Sequence, residues 1–306
     1  MNGFINVLKP PGMTSHDVIS FLRRELGTKK IGHAGTLDPQ AAGVLPVCVG
    51  QATRLVEYLS IADKEYLCRL KLGYTSTTQD AWGSIVEQKD PSQITLTDIE
   101  NILPLFRGEI TQIVPMYSAV KIGGVPLYKL ARQGKTAEQV ERNVIIYNLS
   151  LLEYRPPEVT MLVKCSKGTY IRTLCHDIGQ RLGTGGMMSF LLRTRVGLFD
   201  LENSVTLEEI ARTKAGVILP VHDNLLGLQS IILTENDLKL LRQGQRVVLR
   251  SEYIDQLKTT ADQLNAAESG QSYAIMDYSG KLQVLAIIIR NENTFSLKPK
   301  KVFDME

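Results

Sequence analysis

The 306-residue sequence predicts an α+β chain of two domains. Three observations carry that expectation. Strand and helix signals alternate irregularly, with no internal repeat or low-complexity tract. The length suits two units with sizeable apolar cores. Beyond residue 229 the chain is mostly short strand patterns. The boundary falls at 223–229, giving domains of 1–228 and 229–306.

Composition narrows the classes. A formal net charge of +3 and a pI near 8.5 are only mildly basic, so a polyanion site has to come from local clustering. Cys48, Cys68, Cys165 and Cys175 form no CxxC pair and lie in or beside apolar patterns, as buried thiols do in a reducing cytoplasm. His16, His33, His176 and His222 have no metal-ligand spacing, and Cys175, His176 and Asp177 point apart on a helix, so no metal is expected. The N-terminus lacks a signal-peptide core and nowhere do about 18 apolar residues run together. A soluble, cytoplasmic protein follows.

Residues 4–8 read as a strand closed by Lys9-Pro10-Pro11-Gly12. Ser15 then suits a helix N-cap, with Val18, Ile19, Phe21 and Leu22 as the apolar face and Gly27 as the stop. Arg23, Arg24, Lys29 and Lys30 are either a solvated face or, beside the next loop, phosphate contacts. In that loop Gly35 can take the positive φ of a tight turn, and Pro39 pushes Asp38 toward an extended backbone. The carboxylate is presented stiffly at the entrance to an apolar strand over 44–49.

A helix over 52–59 leads to the clearest strand of the chain, 64–73, where Tyr66, Cys68, Leu70 and Leu72 share one face with Lys64 in phase. Tyr66 is either core packing or, at the polar end of that row, a ring on which a base can stack. A short helix over 127–133 ends at Gly134, and strands cover 143–154 and 159–165. Around Gly168 a strand turns into a helix whose first N–H groups are free for anions. Thr206 and Glu209 form a capping box. The tail has a helix over 235–243 and strands near 245–249, 273–277, 282–289 and 294–297.

The strings GHAGTLDP, AAGVLPVCVGQATRL, VPMYSAVK with Gly123-Gly124, CSKGTYIRTL and MMSFLLRT closely resemble, in order, the motifs of the tRNA pseudouridine-55 synthase family. Val114-Pro115 stands where that family has a Pro-Pro pair, a departure of shape and not of chemistry. The resemblance covers about residues 3–200 and, more loosely, the tail. It implies a pseudouridine synthase core, with a mixed, mainly antiparallel sheet flanked by helices and loops. A small PUA-like RNA-binding β-barrel follows, resting on Gly244, the Asp277-Tyr278-Ser279-Gly280 turn and the basic end Lys298-Pro299-Lys300-Lys301.

The same resemblance makes Asp38 the nucleophile and Arg172 its ion-pair partner. Tyr66 lies against the target uracil, with Lys64 beside it in the K-x-Y pattern. Tyr170 is the family's other active-site tyrosine, and Leu191 packs on the base. His33 fills the space a flipped base leaves, and Arg193 meets phosphate or solvent. The implied reaction isomerises uridine 55 in the T loop of tRNA. The N1–C1′ bond breaks, uracil turns, and a C5–C1′ bond forms without redox change, so no cofactor is needed. Asp38 can add to C6 of uracil or to C1′ of ribose, and Tyr66 or Asp38 can take the C5 proton. The partner is the T loop and T stem, met by a monomer away from membranes. A tRNA-refolding role can coexist with this, whereas N-glycoside hydrolysis lacks its separate carboxylate.

Overall fold

Nine strands from the first two thirds of the chain form one mixed sheet in the computed structural model, which describes residues 1–134, 138–221, 226–257, 271–291 and 294–304. The path runs Gly3–Lys9, Ala42–Val49, Gly186–Val196, Lys64–Leu72, Glu158–Cys165, Glu141–Arg155 and Gly108–Ile113. The short strands Ile31–His33 and Phe199–Asp200 pair with Ala42–Val49 and Gly186–Val196. Every named pairing is antiparallel except one: Ala42–Val49 runs parallel to Gly186–Val196, with Arg193 opposite Gly43. This is the mixed, mainly antiparallel sheet expected.

The alternation read over 64–73 appears as burial of Lys64, Tyr66, Cys68, Leu70 and Leu72. That face packs with Met161 and Val163 from the neighbouring strand and with Leu174, Cys175 and Ile178 of the helix Ile171–Arg181 in one apolar cluster. Burying each such side chain contributes on the order of 1.5–3 kcal/mol. Ala42–Val49 is buried along nearly its whole length, because sheet neighbours and packed elements cover both faces.

Three local expectations change. The helix Ser15–Leu26 is capped by Thr14 in a capping box with Asp17, not by Ser15, whose hydroxyl is engaged on Leu37. It does end at Gly27, in the left-handed region at φ 62°. The helix expected over 52–59 begins as a 3₁₀ turn, Gly50–Leu55, before the α-turn Val56–Ser60. The last strand extends from Thr294 to Val302, since pairing with Leu282–Asn291 continues through the basic run.

The tail forms a five-stranded sheet in the order Ser230–Ile232, Ser272–Met276, Leu282–Asn291, Thr294–Val302 and Val247–Val248. It curls as a half-barrel, consistent with the PUA-like expectation, and the helix Glu235–Arg242 packs on it. It also shares a core with the first sheet: Phe303, Leu282 and Leu285 join Phe4, Leu55 and Tyr58. The Tyr58 and Ser272 hydroxyls are 3.1 Å apart, Lys301 pairs with Glu57, and Arg54 stacks over Phe303 at 5.2 Å. Part of the expected boundary, 223–225, together with His222, lies outside the described residues. Among the described residues no helix is long and apolar enough to cross a membrane.

Gly43 sits at the parallel junction with φ 114°, and a Cβ there would lie 2.2 Å from the Arg193 carbonyl oxygen. Backbone cannot give way as a side-chain tip can, so Gly43→Ala is expected to lower unfolding free energy by at least about 2 kcal/mol. Urea unfolding of the two proteins checks this.

Candidate active site

Asp38 lies in an irregular loop between Ile31–His33 and Ala42–Val49, and three side chains far apart in sequence grip that loop by its main chain. On the N-terminal side, Ser15 Oγ accepts from Leu37 N at 2.9 Å and donates to Leu37 O at 3.2 Å. After Asp38, Lys9 Nζ donates to Pro39 O at 3.0 Å and to Met13 O at 2.6 Å. From the other side Arg193 donates to Gly35 O at 3.1 Å, Thr36 O at 3.4 Å and Val44 O at 2.7 Å. Gly35 takes φ 112°, as its place in the turn required. Sequence reasoning left Arg193 to phosphate or solvent, and the structure overturns both: the residue is 1% exposed and its guanidinium is saturated with carbonyls.

The Asp38 carboxylate itself stays 40% exposed. Arg172 approaches it at 3.8 Å and, through its other nitrogen, approaches Asp80 at 3.7 Å. Arg172 also donates to Tyr117 O at 2.8 Å. One buried guanidinium therefore serves two carboxylates, one open to solvent and one closed. Asp80 escaped the sequence reading, although Thr78, Asp80 and Trp82 form a compact polar turn: Asp80 Oδ1 accepts from Thr78 Oγ1 at 2.6 Å and from Trp82 N at 3.1 Å. Ala81 N and Met188 N then tie that turn to Gly186–Val196. Gln112, also unforeseen, holds the backbone of Tyr170 at both its N–H and its carbonyl, just before Arg172.

These groups surround a cavity of about 480 Å³, whose lining includes Asp38, Lys64, Tyr66, Tyr170, Arg172 and Leu191. His33 is the one predicted site residue outside it. It lines an adjoining cavity that shares Asp38 and Arg172. Burial, with Arg193 and His16 nearby, holds the His33 imidazole below its ordinary pKa. Burial raises the Tyr66 phenol, an effect that Arg193 beside it opposes. Lys64 reaches the cavity wall, but its ammonium donates to the carbonyls of Ser60 and Ala62. Two of its three donors are thereby engaged.

Asp38 is the only carboxylate among the described residues lining the first cavity, against Lys64, Arg142, Arg172 and Arg193. A lone reachable carboxylate with cations around it and three tyrosines, Tyr66, Tyr117 and Tyr170, beside it suits covalent chemistry on a nucleotide of an anionic polymer. The fold points the same way. A crystal structure titled as a Cbf5-Nop10-Gar1 complex matches with a TM-score of 0.74 at 28% identity, over 98% of this chain and 84% of that one. An H/ACA RNP bound to a substrate RNA containing 2′-deoxyuridine matches with a TM-score of 0.71 at 25% identity, over 99% and 85%. The architecture is that of a pseudouridine synthase.

Sequence comparison narrows the class. Residues 23–171 match the TruB family pseudouridylate synthase N-terminal domain, and 172–223 match the tRNA pseudouridylate synthase B C-terminal domain. A Heliobacterium modesticaldum protein named tRNA pseudouridine synthase B is 44% identical over 99% of this chain and 96% of its own length. One of the same name from Carboxydothermus hydrogenoformans is 54% identical over 68% and 74%. The chain belongs to the TruB family of pseudouridylate synthases.

Two outcomes test this geometry. Asp80→Ala leaves the buried Arg172 guanidinium with one distant anion, and unfolding free energy is expected to fall by about 3 kcal/mol, read by denaturant titration. Burial, reinforced by Arg193, pulls Lys64 from the usual 10.5 down to about 8. Across that window the unfolded chain binds more protons at this position than the folded chain, so rising pH favours the fold. The stability advantage of wild type over Lys64→Met is expected to grow between pH 8 and 10.5, by at most roughly 1.4 kcal/mol per unit. Urea unfolding of both proteins near each end of the window measures it.

Proposed function

We propose that this protein isomerises uridine 55 in the T loop of tRNA to pseudouridine, with Asp38 as the nucleophile. The observation that carries the reading is the placement of Asp38. It is the sole carboxylate among the described residues of the first cavity, it is open to that cavity, and the loop bearing it is fixed at carbonyls on both sides. Arg172, 3.8 Å away, orients the carboxylate. The target nucleotide leaves its stack, which requires a few kcal/mol, and enters between Tyr66, Tyr170 and Leu191. His33, in the adjoining cavity, takes up the vacated space.

Asp38 adds covalently as the N1–C1′ bond breaks. The base turns, C5 bonds to C1′, the bond to Asp38 breaks and returns the carboxylate, and the C5 proton leaves while N1 gains one, so atoms balance with no external reagent. Tyr66 and Asp38 are the candidates for the C5 proton; burial raises the Tyr66 phenol, and Arg193 opposes that rise only in part. Residues 1–228 form the catalytic unit in this reading, and 229–306 add RNA affinity. The protein works as a monomer in the cytoplasm, where its four free, buried cysteines remain reduced. An N-glycoside hydrolase is less well supported, since a second carboxylate to activate water is missing among the described lining residues.

An unmodified tRNA transcript carrying tritium at C5 of uracil tests the proposal. Wild type is expected to release label to water, and Asp38→Ala to lose at least about 10³-fold in rate while still binding tRNA. A folded wild-type sample that releases none overturns the reading.

A further inference from the structure

We infer that Arg193 is a positioning residue of the reaction, setting the distance between the Asp38 loop and the strand that carries Tyr66. The inference rests on the proposed function and adds a residue that the motif resemblance left undefined.

Arg193 occupies the crossing point of the sheet. On one side it pairs with Tyr66 across antiparallel strands. On the other it stands opposite Gly43 in the sheet's parallel pairing. No other residue of Gly186–Val196 bridges a catalytic tyrosine and the strand the Asp38 loop runs into. Leu191, two positions earlier and so on the same face, lines the cavity as Arg193 does. The strand pairing shifts register between Arg193 and Arg195, and such a bulge re-aims the side chains beside it.

The guanidinium then does what no apolar residue could. Its three nitrogens reach Gly35, Thr36 and Val44, a set of carbonyls that brackets Asp38 on both sides. Its edge also lies against the Tyr66 hydroxyl. Among the described residues it has no carboxylate within ion-pair distance, so its charge is balanced by main-chain oxygens and by the more distant Asp38. A buried cation without a counter-ion carries a desolvation penalty and is a poor device for stability alone. Here it fixes nucleophile and tyrosine in one frame, and the planar fork spreads its donors over three separate nitrogens, each on its own carbonyl, where an ammonium would serve all three from a single point.

The test compares wild type with Arg193→Lys and Arg193→Gln in single-turnover tritium release at saturating tRNA, alongside tRNA affinity and thermal unfolding. Arg193→Lys keeps the charge but loses the fork. Its rate is expected to drop by about 100-fold with affinity within about twofold and the fold intact, since an ångström of misplacement has that effect. Arg193→Gln is expected to drop at least as far. A wild-type rate in Arg193→Lys overturns the inference, as does a loss accounted for by weaker tRNA binding. Failure of both variants to fold assigns Arg193 to stability and overturns it as well. Absence of release from wild type itself would instead strike the proposed function, so the two failures are distinct.

Discussion

Two buried cations holding main-chain carbonyls are the interaction on which the rest of this site depends. Lys9 and Arg193 are almost wholly excluded from solvent, and among the described residues neither has a carboxylate partner within ion-pair distance. Each instead draws together carbonyl groups from separate segments around the Asp38 loop. Charge-assisted bonds of this kind are roughly twice as strong as neutral ones, and they leave the nearby acid free. Asp38 is thereby immobilised through its backbone while its side chain faces the cavity. The one cation in ion-pair distance of that carboxylate among the described residues is Arg172.

Around that frame the other groups lining the cavity arrive on different kinds of support. Tyr66 and Leu191 come from adjacent strands, so their separation is a property of the sheet. Arg172 comes from the first turn of a helix, and its approach is set by Tyr117, Asp80 and the grip of Gln112 on Tyr170. The loop contributes only Asp38, the group that must be aimed most finely. Rigid elements carry the walls, and the one flexible type of element is bound at several points.

How much of this was legible follows from range. The strand over 64–73 is written in its alternation, and the helix end at Gly27 in one glycine. The capping box at Thr206 and Glu209 is likewise a local signal that the structure repeats. Asp38 was visible as a carboxylate in a stiff turn, and motif resemblance supplied its company. What stayed hidden were bonds to backbone, because a carbonyl acceptor leaves no mark on residue type. Arg193 and Val44 are 149 positions apart, and nothing near either announces the bond. Ser15 looked like a cap because it is a serine before a helix. Its hydroxyl was needed on Leu37, and Thr14 took the cap. Asp80 was missed for a related reason: its partner lies on a distant helix.

The shared core of the two sheets also bears on how the chain is born. The cluster that backs Tyr66 and Leu191 draws on residues from Leu37 to Leu191, so it can close once the first two thirds of the polypeptide has been made. The cluster beneath the other end of the sheet begins at Phe4 and ends at Phe303. Its N-terminal member Phe4 therefore finds its last partner only at Phe303, far along the chain. Until Phe303 has been made, the part of the first strand that packs in this cluster has only a partial cover.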